Sequence, residues 1–241
     1  MLKVTNINKS FGGIQALHNV SLIAMPGHIT GIIGPNGSGK STLINILTGI
    51  INADSGTFSV SNLEKENTDN KFARTFQDSR LWGHMTVLDT ILISLKSRNV
   101  WANFFSTLFK NKKEELEILQ TANNIIASIK LDHHIHTQAR HLSYGQRKLL
   151  EIGRALAMTP QVLLLDEPFA GLHPETIIHV KEILAEQKKK NTAIILIEHD
   201  MNIIRDLCDF VYVLDAGINI AEGRANEVLE NREVMRAYLG K

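Results

Sequence analysis

Eight consecutive residues, Gly34, Pro35, Asn36, Gly37, Ser38, Gly39, Lys40 and Ser41, carry the clearest chemistry in this 241-residue chain. They match the Walker A pattern G-x-x-x-x-G-K-[ST] in full, with Thr42 directly after it. An apolar run, Ile29 to Ile33, precedes the loop, and Ser41 to Gly49 reads as a helix ended by a glycine. Each residue type has a reason to be there. Glycines let backbone N–H groups converge on phosphate oxygens, and the start of a helix adds about half a positive charge. Lys40 reaches the β- and γ-phosphates, and the Ser41 hydroxyl is a ligand for Mg2+. This is a nucleotide site.

A second constellation is Val162-Leu-Leu-Leu165 followed by Asp166 and Glu167. Four apolar residues bury a strand, and two carboxylates emerge at its C-terminal end, where open α/β sheets place ligands. Asp166 is expected to hold Mg2+ through water. Glu167 is expected to polarise the attacking water, general-base work worth about 10²–10⁴-fold.

The elements that must position these groups are read from pattern. Short strands are expected at Leu2–Val4, Ile14–Leu17, Val20–Leu22 and Ile29–Ile33, broken by Gly12-Gly13 and Pro26-Gly27. Residues 86–129 are mostly helical by spacing, and a further helix runs from Ser143 to Met158, ahead of Pro160. Strand Val162–Leu165, helix Pro174–Lys189, strand Ala193–Ile197 and strand Phe210–Leu214 follow. Strands alternating with helices predict an α/β fold with a mostly parallel sheet covered on both faces. The lysines at 188–190 read as a solvated end to their helix.

Composition narrows the classes. A net charge of +1 gives no reason to expect nucleic acid, and 44% hydrophobic with 21% charged residues is ordinary for a globular protein. The single cysteine, Cys208, builds no internal disulfide and fits a reducing compartment, most simply as a small buried hydrophobe. The N-terminus lacks the regions of a signal peptide, and no apolar run approaches the roughly 18 residues of a membrane span. His133, His134 and His136 invite a metal reading, although such a triplet without other ligands is usually a solvated loop. The aromatics between Trp101 and Leu116 are either core or a face for a membrane partner.

The ordered set of motifs resembles the ABC (ATP-binding cassette) ATPases over nearly the whole chain. Leu142 to Gln146 (LSYGQ) is similar to the family's signature motif, with Tyr144 where the usual form has glycine. Gln77 resembles the Q-loop glutamine, Ala170-Gly171-Leu172 the D-loop, and His199 the switch histidine. Phe11 occupies the place of the aromatic residue that stacks on adenine. The resemblance implies one domain over residues 1–241, a P-loop NTPase with a mostly parallel core sheet, an N-terminal antiparallel β subdomain and an α-helical signature subdomain at about 84–158. It implies that ATP on one chain is sealed by Ser143, Gly145 and Gln146 of another. His199 would bond the γ-phosphate, and Gln77 would sense Mg2+ and the transporter.

Several strings narrow the resemblance. The tyrosine in LSYGQ, the run from Arg74 to Leu81, the string Leu165 to Pro174 and the ending Arg236 to Gly240 look like ATPases of branched-chain amino-acid importers. His173 stands where that string usually has Asn or Asp. The implied partners are integral-membrane permease subunits, a second copy or a sister ATPase, and indirectly a solute-binding protein. The implied location is cytoplasmic, peripheral on the inner face of the cell membrane. Urea importers and the lipopolysaccharide-export ATPase share the tyrosine form, so uptake of a similar small polar solute and lipid export stay open as alternatives. A soluble ABC protein acting on DNA or ribosomes would carry two cassettes or a long coiled coil. A regulatory GTPase would carry Asn-Lys-x-Asp, which this chain lacks.

Overall fold

The computed structural model describes residues 1–60, 72–75, 81–97 and 112–239. It divides into two compact units. The first comprises residues 1–67, 161–167 and 186–241, and the second residues 68–160 and 168–185.

In the first unit, β1 (Leu2–Phe11) pairs antiparallel with β2 (Ile14–Ala24) on one side and β4 (Ser55–Val60) on the other. Sequence reading splits β2 into two short strands and sees only the start of β1, for a physical reason. Asn6 and Asn19 take left-handed backbone (φ 51 and 50), and the register between β1 and β2 shifts there. Each such irregularity moves the inward-facing residues out of strict alternation. The side chains repair the ladder: Asn19 N–H donates to Asn8 Oδ1 at 2.9 Å, and Asn6 N–H to Ser21 Oγ at 2.9 Å. Leu2, Val4, Ile7, Leu17, Val20 and Leu22 still bury one face.

The core sheet of this unit runs β6-β7-β3-β8-β9. β3 (Ile29–Ile33), β6 (Val162–Asp166) and β7 (Ala193–Ile197) are buried at every residue, as continuous apolar runs require in a parallel sheet. β3 lies between β7 and β8 (Phe210–Asp215), parallel to both. β8 is not the edge strand of this sheet. The antiparallel β9 (Ile218–Gly223) follows through a turn at Ala216-Gly217, both with positive φ. Its half-exposed, mixed sequence carries little strand signal. The unit also holds α1 (Lys40–Leu47), α6 (Met201–Leu207), α7 (Ala225–Leu229) and α8 (Arg232–Leu239).

Two charges in this unit act as pins. Lys188 bonds both carboxylate oxygens of Asp209 at 2.8 Å, and Asp209 Oδ2 also accepts the Ile29 N–H at 2.8 Å. Lys188 therefore braces the start of β3 rather than simply ending its helix in solvent. Cys208 is buried at the C-terminal end of α6, as expected of a small hydrophobe.

The second unit is mainly helical: α2 (Val87–Ser97), α3 (Lys112–Ser128), α4 (Tyr144–Ala157) and α5 (Pro174–Lys189) as far as Ala185, with the short strand β5 (Phe72–Arg74). Gly153 lets α4 approach its neighbours, since a Cβ there would lie 2.6 Å from Ile129 Cδ1 and 3.3 Å from Ile91 Cδ1. Among the described residues no helix is long and apolar enough to cross a membrane. Trp101 to Asn111 of the aromatic segment lie outside the described residues.

Candidate functional site

The phosphate loop leaves β3 at Gly34 and enters α1 at Lys40. Its shape demands glycine at three points. Gly34, Gly37 and Gly39 have φ values of 153°, 81° and 103°, in the region that L side chains avoid. A Cβ on Gly34 would collide with the Leu214 carbonyl oxygen, whereas one on Gly37 would meet nothing within 4 Å. Gly34 is thus required by packing against β8, and Gly37 by backbone conformation alone. Ser38 is buried, its N–H donating to Pro35 O at 3.2 Å and its carbonyl accepting from Gly217 N at 3.1 Å. Pro35, Asn36 and Gly37 form the open crest of the loop, Ser41 is exposed on the first turn of α1, and Thr42 is half-buried behind it.

Lys40 is 7% exposed and folds over its own loop. Its ammonium donates to Gly34 O at 2.7 Å, Pro35 O at 3.0 Å and Ser38 Oγ at 3.5 Å. Burial lowers its pKa, opposed by the charges of Glu167 and Asp166. Both carboxylates thus act on the charge of the loop's lysine, so the two constellations read from sequence are electrostatically coupled.

Asp166 ends β6 and is 7% exposed. Glu167 follows with φ 48°, an uncommon backbone for a non-glycine residue, and its N–H donates to Ile197 O at 3.0 Å. The bend turns Glu167 toward the end of β7, where its Oε1 lies 2.9 Å from His199 Nε2. Both residues stand out in the sequence, and the fold pairs them directly. Phe11 ends β1 with its side chain 47% exposed and the Lys9 ammonium 5.4 Å from its ring.

In the second unit, Ser143 caps α4. Its Oγ accepts the Gln146 N–H at 3.3 Å, and Gln146 Oε1 accepts the Ser143 N–H at 2.8 Å. This reciprocal capping box is written in the sequence as S-x-x-Q. Gly145 is half-buried, and a Cβ there would lie 3.4 Å from Thr176 Oγ1. Tyr144 reaches the D-loop: its hydroxyl donates to Ala170 O at 3.2 Å, and its ring would touch a Cβ on Gly171, whose φ is 68°. Gln146 also bonds His134, which sequence reading missed as a partner. The metal reading of the histidine triplet gains no support: among the described residues no group of three His, Cys, Asp or Glu could hold a metal ion. Gln77 lies outside the described residues.

Residues 17–170 match the family described as ABC transporter. The chain belongs to the ABC transporter family. Over its full length this cassette is 36% identical to the high-affinity branched-chain amino acid transport ATP-binding protein LivG of Escherichia coli, covering 98% of that protein. It is 39% identical to the probable LivG of Methanocaldococcus jannaschii, again over all of this chain and 98% of the relative. A solved nucleotide-free ATP-binding cassette from an ABC transporter superposes with a TM-score of 0.83 at 37% identity, over 100% of this chain and 99% of that one. A cassette solved in its ADP conformation gives the same TM-score at 36% identity with the same coverage. The cassette is an ABC ATPase, a nucleotide-binding subunit with an α/β fold.

Proposed function

We propose that this cassette powers uptake of branched-chain amino acids, pairing head to tail with a second ATPase subunit on two permease chains at the inner face of the cell membrane. The observation that carries the solute class is the end-to-end likeness to LivG proteins, over 100% of this chain and 98% of each relative. The net charge of +1 and the lack of a long apolar helix among the described residues agree with attachment through partner chains.

In this reading the N–H groups of residues 36–41 wrap the phosphates, Lys40 exchanges its loop carbonyls for phosphate oxygens, and Phe11 stacks on adenine. The donor set suits Mg2+: the Ser41 hydroxyl and the Asp166 carboxylate are hard oxygen ligands. Ser41 would bind it directly, Asp166 through water and Gln77 from the Q-loop, and the ion would neutralise charge between the β- and γ-phosphates. Glu167 takes the proton of the attacking water, and His199 orients Glu167 and bonds the γ-phosphate. Ser143 and the Gly145 N–H, at the start of α4, seal the ATP of the partner chain, with Gln146 holding the turn.

The test is reconstitution with permease chains and solute-binding protein in vesicles. Leucine, isoleucine or valine uptake should require ATP on the side that exposes this cassette. Hydrolysis stimulated by lipopolysaccharide, with no response to liganded binding protein, would overturn the import reading.

A further inference from the structure

The start of α4 is fastened by hydrogen bonds whose polarity can be followed atom by atom. A backbone N–H can only donate, so the Gln146 atom 2.8 Å from the Ser143 nitrogen is the acceptor Oε1. The other end of the same amide is then the donor Nε2, and it lies 2.8 Å from His134 Nε2. An imidazole nitrogen that receives an N–H carries no proton. In this bond His134 Nε2 is the acceptor, and the proton of the neutral ring lies on Nδ1. Protonation at Nε2 would set two donors face to face and end the bond.

We propose that His134 is a positioning residue for ATP hydrolysis: its neutral imidazole holds Gln146, Gln146 holds the Ser143 N–H, and protonation loosens the start of the signature helix. This rests on the reading that Ser143 and Gly145 seal the partner chain's ATP. His134 touches no reacting atom. It acts through Gln146 alone, twelve residues away in sequence, and both side chains are half-buried.

Several charged and titratable groups on the surrounding segments have partners of their own. On the same turn His133 pairs with Asp132 at 3.3 Å. Lys130, just after α3, bonds Glu182 at 3.3 Å. On α4 the Arg147 guanidinium donates to Leu142 O at 2.6 Å, and Lys148 lies 5.9 Å from the Tyr144 ring. On α2 Asp89 accepts from the Thr86 hydroxyl at 2.6 Å. His136, Arg140 and His141, between His134 and the signature, are exposed.

The experiment compares steady-state ATP hydrolysis by the full chain, assembled with its partners, from pH 5.5 to 8.5. The variants are His134→Gln, whose amide oxygen accepts at every pH, His134→Leu, which never accepts, and Ser143→Ala as control. Dividing wild type by His134→Gln cancels every pH effect common to both chains. The kcat ratio should stand near one at pH 8.5 and fall about fivefold at the acid end, the weight of one ordinary hydrogen bond. KM for ATP should move less than kcat, because the phosphate loop is untouched. His134→Leu should be reduced by a similar factor at every pH. A flat ratio alongside a strongly impaired Ser143→Ala chain would overturn the role of His134 alone. A Ser143→Ala chain that hydrolyses normally would overturn the reading of the signature helix as well. Nitrogen NMR of the imidazole supplies a readout independent of turnover: a proton on Nε2 at neutral pH would contradict the proposal, and a His134→Leu chain that fails to fold leaves this readout and the glutamine comparison intact.

Discussion

Replacing Gly31 by alanine should damage the site from beneath, and replacing Cys208 as well should repair it. Gly31 sits mid-way along β3, opposite Leu196 and Val211 on the flanking strands. A Cβ there would lie 2.9 Å from Cys208 Sγ and 3.2 Å from Val211 Cγ2. Carbon atoms pack best at about 3.5–4.0 Å, so something must give by roughly 0.5–1 Å. Overpacking of this kind costs about 1–3 kcal/mol. For a chain of this size each kcal/mol lowers Tm by about 2–4 °C, so Gly31→Ala should melt about 2–12 °C early. β3 leads directly into Gly34, so displacement of the strand should also weaken ATP binding. In the double variant with Cys208→Ala the sulfur is gone and the new methyl takes its space. The coupling energy should then recover most of the loss, in thermal melts and in titration with a fluorescent ATP analogue alike. Additivity of the two substitutions within about 0.5 kcal/mol would refute the packing argument.

Two further outcomes follow from burial and stacking. Burial pushes the Cys208 thiol up to about 12 from 9.0; the folded chain keeps the proton that the unfolded chain loses, so stability should fall by at most about 1.4 kcal/mol per pH unit as pH rises from about 9 toward 12. Urea melts across that range should show the slope, and its persistence in Cys208→Ala would assign it elsewhere. Phe11→Ala should raise the Kd for ATP and GTP alike with kcat nearly unchanged, because stacking on an aromatic face is indifferent to the purine; unaltered binding would mean another residue holds the base.

The phosphate loop, the carboxylates and the signature were legible in the sequence because their chemistry is local: glycines, a lysine and acids at fixed spacing. The buried strands at 29–33, 162–166 and 193–197 were legible for a related reason, since continuous apolar runs suit a sheet covered on both faces. What escaped depends on long-range contacts. β9 has a half-exposed, mixed pattern and is placed by pairing with β8. The bond between His134 and Gln146, and the pinning of Lys188 by Asp209, join residues far apart in sequence that no periodicity relates. The S-x-x-Q capping box was the exception, a local signal present in the sequence and passed over there in favour of the motif it belongs to.

The chemistry of this cassette turns on Glu167. Its carboxylate is bent out of β6 by a left-handed backbone and held 2.9 Å from His199 Nε2, and its charge acts on the lysine of the phosphate loop. Glu167→Gln preserves that shape and removes the base. Measured side by side in one preparation, ATP binding should stay within a few-fold of wild type while single-turnover hydrolysis falls by about 10²-fold or more, with ATP trapped in paired chains. Hydrolysis near the wild-type rate by a variant that binds ATP normally would contradict the assignment of this cassette's chemistry to Glu167.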